Sequence, residues 1–334
     1  MRNILLVDVD SKIPNIALMK LSTYHKSKND VVSFLSLGKE AFHKNYLSVI
    51  DAKQYDKVYV SIIFIKNKDM VFVDGCKDIS FGGSGYDLHS KLSAGIDNLP
   101  PDYKLYPLNN ISYGFITRGC IRKCKFCVVP EKEGKLYFYQ HPSEIIKHKR
   151  VAFLDNNFLA YKGHKDILQY LIDVKISCQF NQGLDMRLID DENAQLLRRL
   201  NYSGNYTFAF DDIRLKDIIE CKFNIWKKYI HDWGTRFFIY VHPSMDICTE
   251  VMARIAWCRD HKVNPYVMRD ADCHISHNSR FYTNLAAYCN QVSFFKGMTP
   301  REFIFKRIKN KKDRGAFLYY FTGSGWGKRS KDGA

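Results

Sequence analysis

No window of this 334-residue chain approaches the ~18 uninterrupted apolar residues that a membrane-spanning helix needs. The start, MRNILLVDVD, lacks the marks of a secretory signal. Its apolar run is short, meets two aspartates and leads to no small-residue cleavage site. There is no internal repeat and no long low-complexity tract. These absences leave a soluble, cytoplasmic protein as the expectation. Apolar residues make up 46% of the chain, enough for a large core, and the length suits about two domains.

Ten cysteines are present. In a cytosolic chain of this length they point to metal binding or catalysis, plus ordinary buried thiols, before disulfides. Cys76, Cys178, Cys221, Cys248 and Cys258 are scattered and read as buried small residues. One cluster is tight, at Cys120, Cys124 and Cys127. The formal charge of +16 is uneven: residues 1–108 carry +2, residues 109–270 carry +6 and residues 271–334 carry +8. That gradient suggests an anionic partner for the second half.

The first hundred residues alternate strand-like runs (Ile4–Val9, Val31–Leu37, Val58–Phe64, Ile79–Phe81) with helical stretches such as Ile16–Tyr24. This pattern predicts an α/β fold with a parallel, doubly wound, Rossmann-like sheet over 1–108. Gly82-Gly83-Ser84-Gly85 follows a short strand. It is either a plain tight turn or a close approach to a ligand, and it is not GxGxxG. Leu99-Pro100-Pro101-Asp102 reads as a linker. A second βα series follows over 109–270, with strands at Tyr113–Thr117, Val151–Leu154, Ser177–Asn181, Tyr206–Phe210, Arg236–Val241 and Pro265–Met268. Between the first two, Pro142–His148 reads as a helix with Ser143 as its cap. Six such units make a partial or full barrel, with chemistry on the loops at the C-terminal strand ends. Residues 271–334 read as a helical, basic segment.

Gly119-Cys120-Ile121-Arg122-Lys123-Cys124-Lys125-Phe126-Cys127 comes directly after the first strand of that series. Three thiolates within eight residues can converge on one metal centre, as in iron–sulfur clusters. A structural zinc site needs a fourth ligand and usually comes as two separated pairs. CxxxCxxC with an aromatic before the last cysteine, in this strand context, resembles the radical S-adenosylmethionine (SAM) superfamily over about residues 110–270. The resemblance implies a partial radical SAM barrel and a 4Fe-4S cluster on Cys120, Cys124 and Cys127. It further implies SAM at the fourth iron, with Phe126 beside the adenine, and an electron donor such as flavodoxin or ferredoxin. SAM would be cleaved reductively, and the resulting 5′-deoxyadenosyl radical would abstract a substrate hydrogen.

After the second strand of the series, Asp155-Asn156-Asn157 stands where many members of that superfamily carry a GGE-type segment for the methionyl amino group. It resembles the D-D/N-N-F form of some branches, but a simple strand-end turn uses the same residue types. After the third strand comes Asn181-Gln182-Gly183-Leu184-Asp185-Met186-Arg187. Arg187 can pair with the SAM carboxylate, and Gln182 and Asp185 can face SAM or substrate. The structural alternative is an Asp185–Arg187 pair. Asp211, Asp212 and His242 end later strands and can line the mouth or be solvated.

A doubly wound domain ahead of such a barrel resembles the cobalamin-binding arrangement, in which a DxHxxG loop supplies a cobalt ligand. Here the first strand ends Asp8-Val9-Asp10-Ser11-Lys12-Ile13, with no histidine or glycine in place, and His25 lies inside the next helix. The expectation is that cobalamin is not bound, and that Asp8 and Asp10 serve the substrate or cap a helix.

Cys273, His274, His277 and Cys289 do not match a common zinc-finger spacing and read as a surface loop. From Phe303 to Arg314, Phe303, Ile304, Phe305 and Ile308 interleave with Lys306, Arg307, Lys309, Lys311, Lys312 and Arg314. On a helix this makes an apolar stripe and a basic face. Tyr319, Tyr320, Phe321 and Trp326 follow, and either pack the helix or stack on bases. Three functions remain open: a radical SAM enzyme acting on a nucleic acid or nucleotide, one acting on a peptide or small metabolite, and a non-enzymatic nucleic-acid-binding protein with a structural metal.

Overall fold

The computed structural model describes residues 1–38 and 47–323. The chain is a mixed α/β protein that divides into two compact units, Met1–Ala152 and Phe153–Ala334. The expected boundaries at 108 and 270 thus fall inside these units. Among the described residues, no helix is long and apolar enough to cross a membrane.

The first unit is built on a parallel sheet of β1 (Asn3–Asp8), β2 (Val31–Ser36), β4 (Lys57–Ser61) and β6 (Ile79–Gly82), in the order β2-β1-β4-β6. The sequence of β1, NILLVD, alternates its faces although every residue after Asn3 is buried. Ile4 and Leu6 pack on Leu18, Met19 and Leu21 of α1 (Ile16–Ser27), the crossover to β2. Leu5, Val7 and Val9 pack on Ile50 and Ala52, and on Val71 and Val73. These come from and beside a second parallel pair, β3 (Ser48–Asp51) and β5 (Val71–Asp74). A strand covered on both sides reads as a continuous apolar run, which is why β1 was plain in the sequence. The second cover described is a strand pair where a doubly wound sheet would have helices.

The supposed linker at Leu99–Asp102 is docked on α1. Asp102 accepts from the Ser22 hydroxyl at 2.7 Å and from Lys26 at 2.6 Å, and the Pro100 carbonyl accepts from Thr23 at 2.7 Å. These bonds, with the short α2 (Ala94–Asp97), hold the segment inside the first unit. Next come β7 (Ile111–Gly114), the hairpin of β8 (Thr117–Arg118) and β9 (Tyr137–Phe138), and between its strands α3 (Val129–Lys132). The helix expected over 142–148 is one turn, α4 (Pro142–Ile145). His141, rather than Ser143, caps it by accepting the Ser143 N–H at 3.3 Å. β10 (Arg150–Phe153) ends at the unit boundary.

The second unit repeats strand and helix: α5 (His164–Asp173), β11 (Ser177–Phe180), α6 (Asp191–Arg199), β12 (Tyr206–Ala209), α7 (Lys216–Trp226), β13 (Thr235–Val241), α8 (Ala253–Asp260) and β14 (Asn264–Arg269). β12, β13 and β14 are parallel neighbours in that order. β11 joins through the parallel bridge of Cys178 with Tyr202, and the Phe153 carbonyl accepts the Asn181 N–H at 2.8 Å. The core between strands and helices is aromatic: Phe208, Phe210, Phe237, Trp226 and Trp257 are buried. The Trp226 indole N–H is satisfied by the Thr235 hydroxyl at 2.8 Å, as a buried indole requires. A layer of α9 (Ser279–Cys289), α10 (Val292–Gly297), α11 (Pro300–Arg307) and α12 (Lys311–Gly323) completes the unit.

Candidate functional site

The cysteine loop leaves β8 through Gly119, whose φ of +76° lies in the left-handed region. A Cβ there would come within 2.2 Å of the Lys135 carbonyl oxygen, so the position needs glycine for both torsion and space. The Gly119 N–H donates to Glu133 at 3.0 Å, and Glu133 pairs with Arg118 at 2.8 Å. Burial alone would raise Glu133, but Arg118 and the Gly119 N–H reverse this and hold it below its ordinary value. The base of the loop is therefore fixed by one buried carboxylate. Beyond it, Cys120, Cys124 and Cys127 are all half-buried. The Cys120 sulfur accepts the Arg122 N–H at 3.3 Å. Cys127 donates its N–H to the Cys124 carbonyl at 3.0 Å, closing a turn that carries Phe126, which is 39% exposed. The three thiols thus sit on one anchored loop, with a backbone amide directed at the first sulfur.

In the second unit the loops after the strands carry the other residues expected at a cofactor. Asp155 and Asn157 are buried and Asn156 half-buried after β10. The Asn157 amide donates to Asp185 at 3.3 Å, which joins the ends of β10 and β11. Arg187 makes a two-pronged ion pair with Asp185, from Nε at 2.6 Å and Nη2 at 2.9 Å. Gln182 is exposed. Gly183 beside it has φ +85° and lies against the Thr207 carbonyl. After β12, Asp211 accepts the Tyr240 N–H at 3.0 Å, and burial pushes its carboxyl up. Its neighbour Asp212 forks onto Arg214 and is held below the usual carboxylate range. His242 leaves β13 and contacts Asp272 at 3.4 Å.

Arg254 at the start of α8 was missed. Its guanidinium is fully buried and donates to the carbonyls of Phe210 at 2.9 Å, Tyr240 at 3.0 Å and Glu250 at 3.0 Å. It thus ties together the C-terminal ends of β12 and β13, just after a turn of π-helix (Ile247–Met252). The available signal was one cation inside the apolar run Val251–Trp257.

Other expected positions have structural duties. Asp8 accepts the Tyr106 hydroxyl at 2.6 Å and the Ser11 N–H at 3.1 Å. Asp10 accepts the Ile63 and Phe64 N–H groups and the Asn67 amide. Neither caps α1; Asn15 does. His25 is buried in α1 between Asp30 and Tyr59. At Gly83 and Gly85 an added Cβ would strike the Ile62 and Phe64 backbone, so that turn serves close packing. Cys178 and Cys258 are buried as expected and burial raises both thiols, Cys178 to about 12. Cys76 and Cys248 are only half-buried, and Cys221 is exposed, on the outer face of α7. Cys273 and Cys289 are buried, with His274 and His277 exposed. Phe303, Ile304, Ile308, Phe317 and Phe321 are buried, Tyr320 packs on Phe281, and Tyr319 and Phe305 are exposed. Trp326 lies outside the described residues.

No protein-family model and no curated protein matches the chain.

Proposed function

We propose that the protein is a radical SAM enzyme with a 4Fe-4S cluster on Cys120, Cys124 and Cys127. The observation that carries the reading is the cysteine loop: three half-buried thiols on a glycine-anchored turn, with an amide donated to Cys120. When bound, cluster and SAM would together supply a 5′-deoxyadenosyl radical for hydrogen abstraction. The chain's own residues hold and orient. Gly119 and Glu133 fix the loop entry, and the Arg122 N–H stabilises negative charge on the Cys120 sulfur. Phe126 offers a ring face to the adenine. Asp155, Asn156 and Asn157 are assigned to the methionyl end, with Arg187 for its carboxylate, and Gln182 and Asp185 to SAM or substrate. Asp185 holds that guanidinium in a fixed orientation, which lowers the ordering cost of pairing it with a ligand.

In this reading the first unit carries a Rossmann-like domain without cobalamin, and the following strands form a partial barrel. The enzyme acts in the cytoplasm with a flavodoxin or ferredoxin as reductant. The substrate is a nucleic acid or nucleotide, supported by the regional charge of +8 over residues 271–334.

The test is anaerobic reconstitution with iron and sulfide, followed by incubation with SAM and dithionite. A brown 4Fe-4S chromophore and 5′-deoxyadenosine are expected. Both should vanish when any one of Cys120, Cys124 and Cys127 becomes Ala and persist in Cys221→Ala and Cys258→Ala. A triad variant that keeps a full cluster and activity would overturn the assignment, and a colourless protein with stoichiometric zinc would replace it with a structural metal.

A further inference from the structure

A second group of ligating side chains lies apart from the cysteine loop and is independent of the reading above. β13 and β14 run parallel with Val241 beside Arg269, so His242 and Asp270 leave the sheet as neighbours. The Asp270 N–H donates to the Val241 carbonyl at 3.0 Å and keeps the two ends together. One turn of 3-10 helix then brings Asp272 back. One ligand atom from each of His242, Asp270 and Asp272 lies within 4.8 Å of the other two.

We propose that these three side chains form a divalent-cation site for a metal of the Mn²⁺, Fe²⁺ or Zn²⁺ kind. One imidazole nitrogen and two carboxylate oxygens match that class, whereas an all-oxygen set would favour Mg²⁺ or Ca²⁺. The carboxylates converge in a chain of net charge +16, yet among the described residues neither forms an ion pair with Lys or Arg. The charge that Asp270 and Asp272 bring together is left for a cation from solution. Drawing the ligand atoms in by about 1 Å would give ordinary bond lengths near 2.0–2.2 Å. His242 is 31% and Asp272 62% exposed at the side chain, so a cation can enter and keep water on its open positions.

The surroundings orient the ligands. The Tyr240 hydroxyl donates to Asp270 at 2.7 Å, and the Asp272 N–H donates to the same carboxylate at 3.0 Å. Ser244 meets His242 Nδ1 with its N–H at 3.1 Å and its hydroxyl at 2.8 Å. The N–H contact places the ring proton on Nε2, facing Asp272. With a cation bound, the Nε2 proton would be exchanged through solvent for one on Nδ1, and Nδ1–H would donate to the Ser244 hydroxyl. The N–H contact is given up, and the Nε2 lone pair is freed for the metal. Such outer partners hold a ligating imidazole in place and commonly contribute about ten-fold or more to affinity.

The test is titration of the full chain with Mn²⁺, followed by the loss of the free-ion EPR signal. Mn²⁺ has little affinity for thiolates, so the cysteine loop does not interfere. One Mn²⁺ per chain is expected. Asp272→Asn and His242→Gln should each weaken binding at least ten-fold, Tyr240→Phe about ten-fold, and Asp191→Asn on α6 not at all. His242 and Asp272 are at the surface, so their variants should keep the wild-type Tm. Absence of stoichiometric binding, or a wild-type affinity in Asp272→Asn or His242→Gln, would overturn the site.

Discussion

Arg187 and Asp185 face each other edge to edge across a single intervening residue, with Nε 2.6 Å from Oδ1 and Nη2 2.9 Å from Oδ2. Asp185 is almost fully buried, whereas Arg187 keeps about a quarter of its side chain in solvent. A two-pronged pair at a half-dry strand end is stronger than an open surface pair and weaker than a wholly buried one. A double-mutant cycle of Asp185→Asn and Arg187→Gln should give a coupling of roughly 1–3 kcal/mol in urea unfolding. The same variants probe the assignment to SAM. Saturating SAM should raise the Tm of the wild type and leave Arg187→Gln nearly unmoved. An equal rise in both would place the SAM carboxylate elsewhere.

Gly119 and Gly134 share a φ of +76°, which makes them an internal control. At Gly134 an added Cβ meets nothing within 4 Å, while at Gly119 it would press on the Lys135 carbonyl oxygen at 2.2 Å. Gly134→Ala should therefore carry only the left-handed backbone cost of about 1 kcal/mol. Gly119→Ala should cost at least about 2 kcal/mol more, or move the loop. Reconstitution should yield near wild-type iron in Gly134→Ala and much less in Gly119→Ala. Equal iron in the two would mean that loop entry does not shape the thiol site.

Which parts were legible follows from what each residue's signal depends on. β1 and β11–β14 were found within a residue or so because buried parallel strands are apolar runs with turn residues at their ends. β3 and β5 were missed: SVID and VFVD are four-residue runs ending in aspartate, too short to outweigh a loop. Leu99–Asp102 looked like a linker because prolines mark breaks, while what docks it, Ser22, Thr23 and Lys26, lies some 80 residues earlier. The cysteines were legible because their spacing is local. Arg254 was not, since its partners are main-chain carbonyls of other strands, which leave no trace in residue identity. His242 was noticed at a strand end, but its companions Asp270 and Asp272 follow a different strand, and only the parallel register brings them together.

Acid should weaken the first unit. Burial by itself would raise Glu133, Asp102 and Asp97, but their partners together outweigh it: Arg118 and the Gly119 N–H for Glu133, Lys26 and Ser22 for Asp102, and Lys20 and Tyr139 for Asp97; all three carboxyls sit below their ordinary values. The native state then binds fewer protons than the unfolded chain. The resulting stability is present above the ordinary values, 4.5 for Glu133 and 3.8 for the aspartates, and is lost as pH falls through the depressed ones. Urea midpoints should be flat from neutral pH to about 5 and then drop. In Glu133→Gln the midpoint should be lower near neutrality, and the gap to wild type should close toward about pH 3. A gap that stays constant with pH would mean that Glu133 acts through packing alone.

The basic helices allow the substrate class to be tested without knowing the reaction. On α11, Phe303 and Ile304 turn inward and Lys306 and Arg307 outward; Ile308 is buried, and Lys309, Lys311 and Lys312 are exposed. The apolar side is thus committed to packing; Arg307 lies 4.5 Å over the Phe294 ring, and the exposed lysines face solvent or a partner. Residues 271–334 carry +8 of the total +16, so this part of the sequence is more basic than the chain's average. A polyanion bound there releases about one counterion per phosphate neutralised, and affinity falls linearly in log–log plots against salt. Changing Lys306, Arg307, Lys309 and Lys311 together to Ser should weaken RNA or DNA binding several-fold at low salt. It should also reduce the salt slope by up to about 3 on a single strand and about 3.6 on duplex DNA, as expected for four lost phosphate contacts. Each of these side chains is exposed, so the variant should stay folded, with a Tm lowered only by the loss of the Arg307–Phe294 contact, about 0.5–1 kcal/mol. If neither nucleic acid binds the wild type above background, the face is merely solvated, and a peptide or small metabolite becomes the better substrate class.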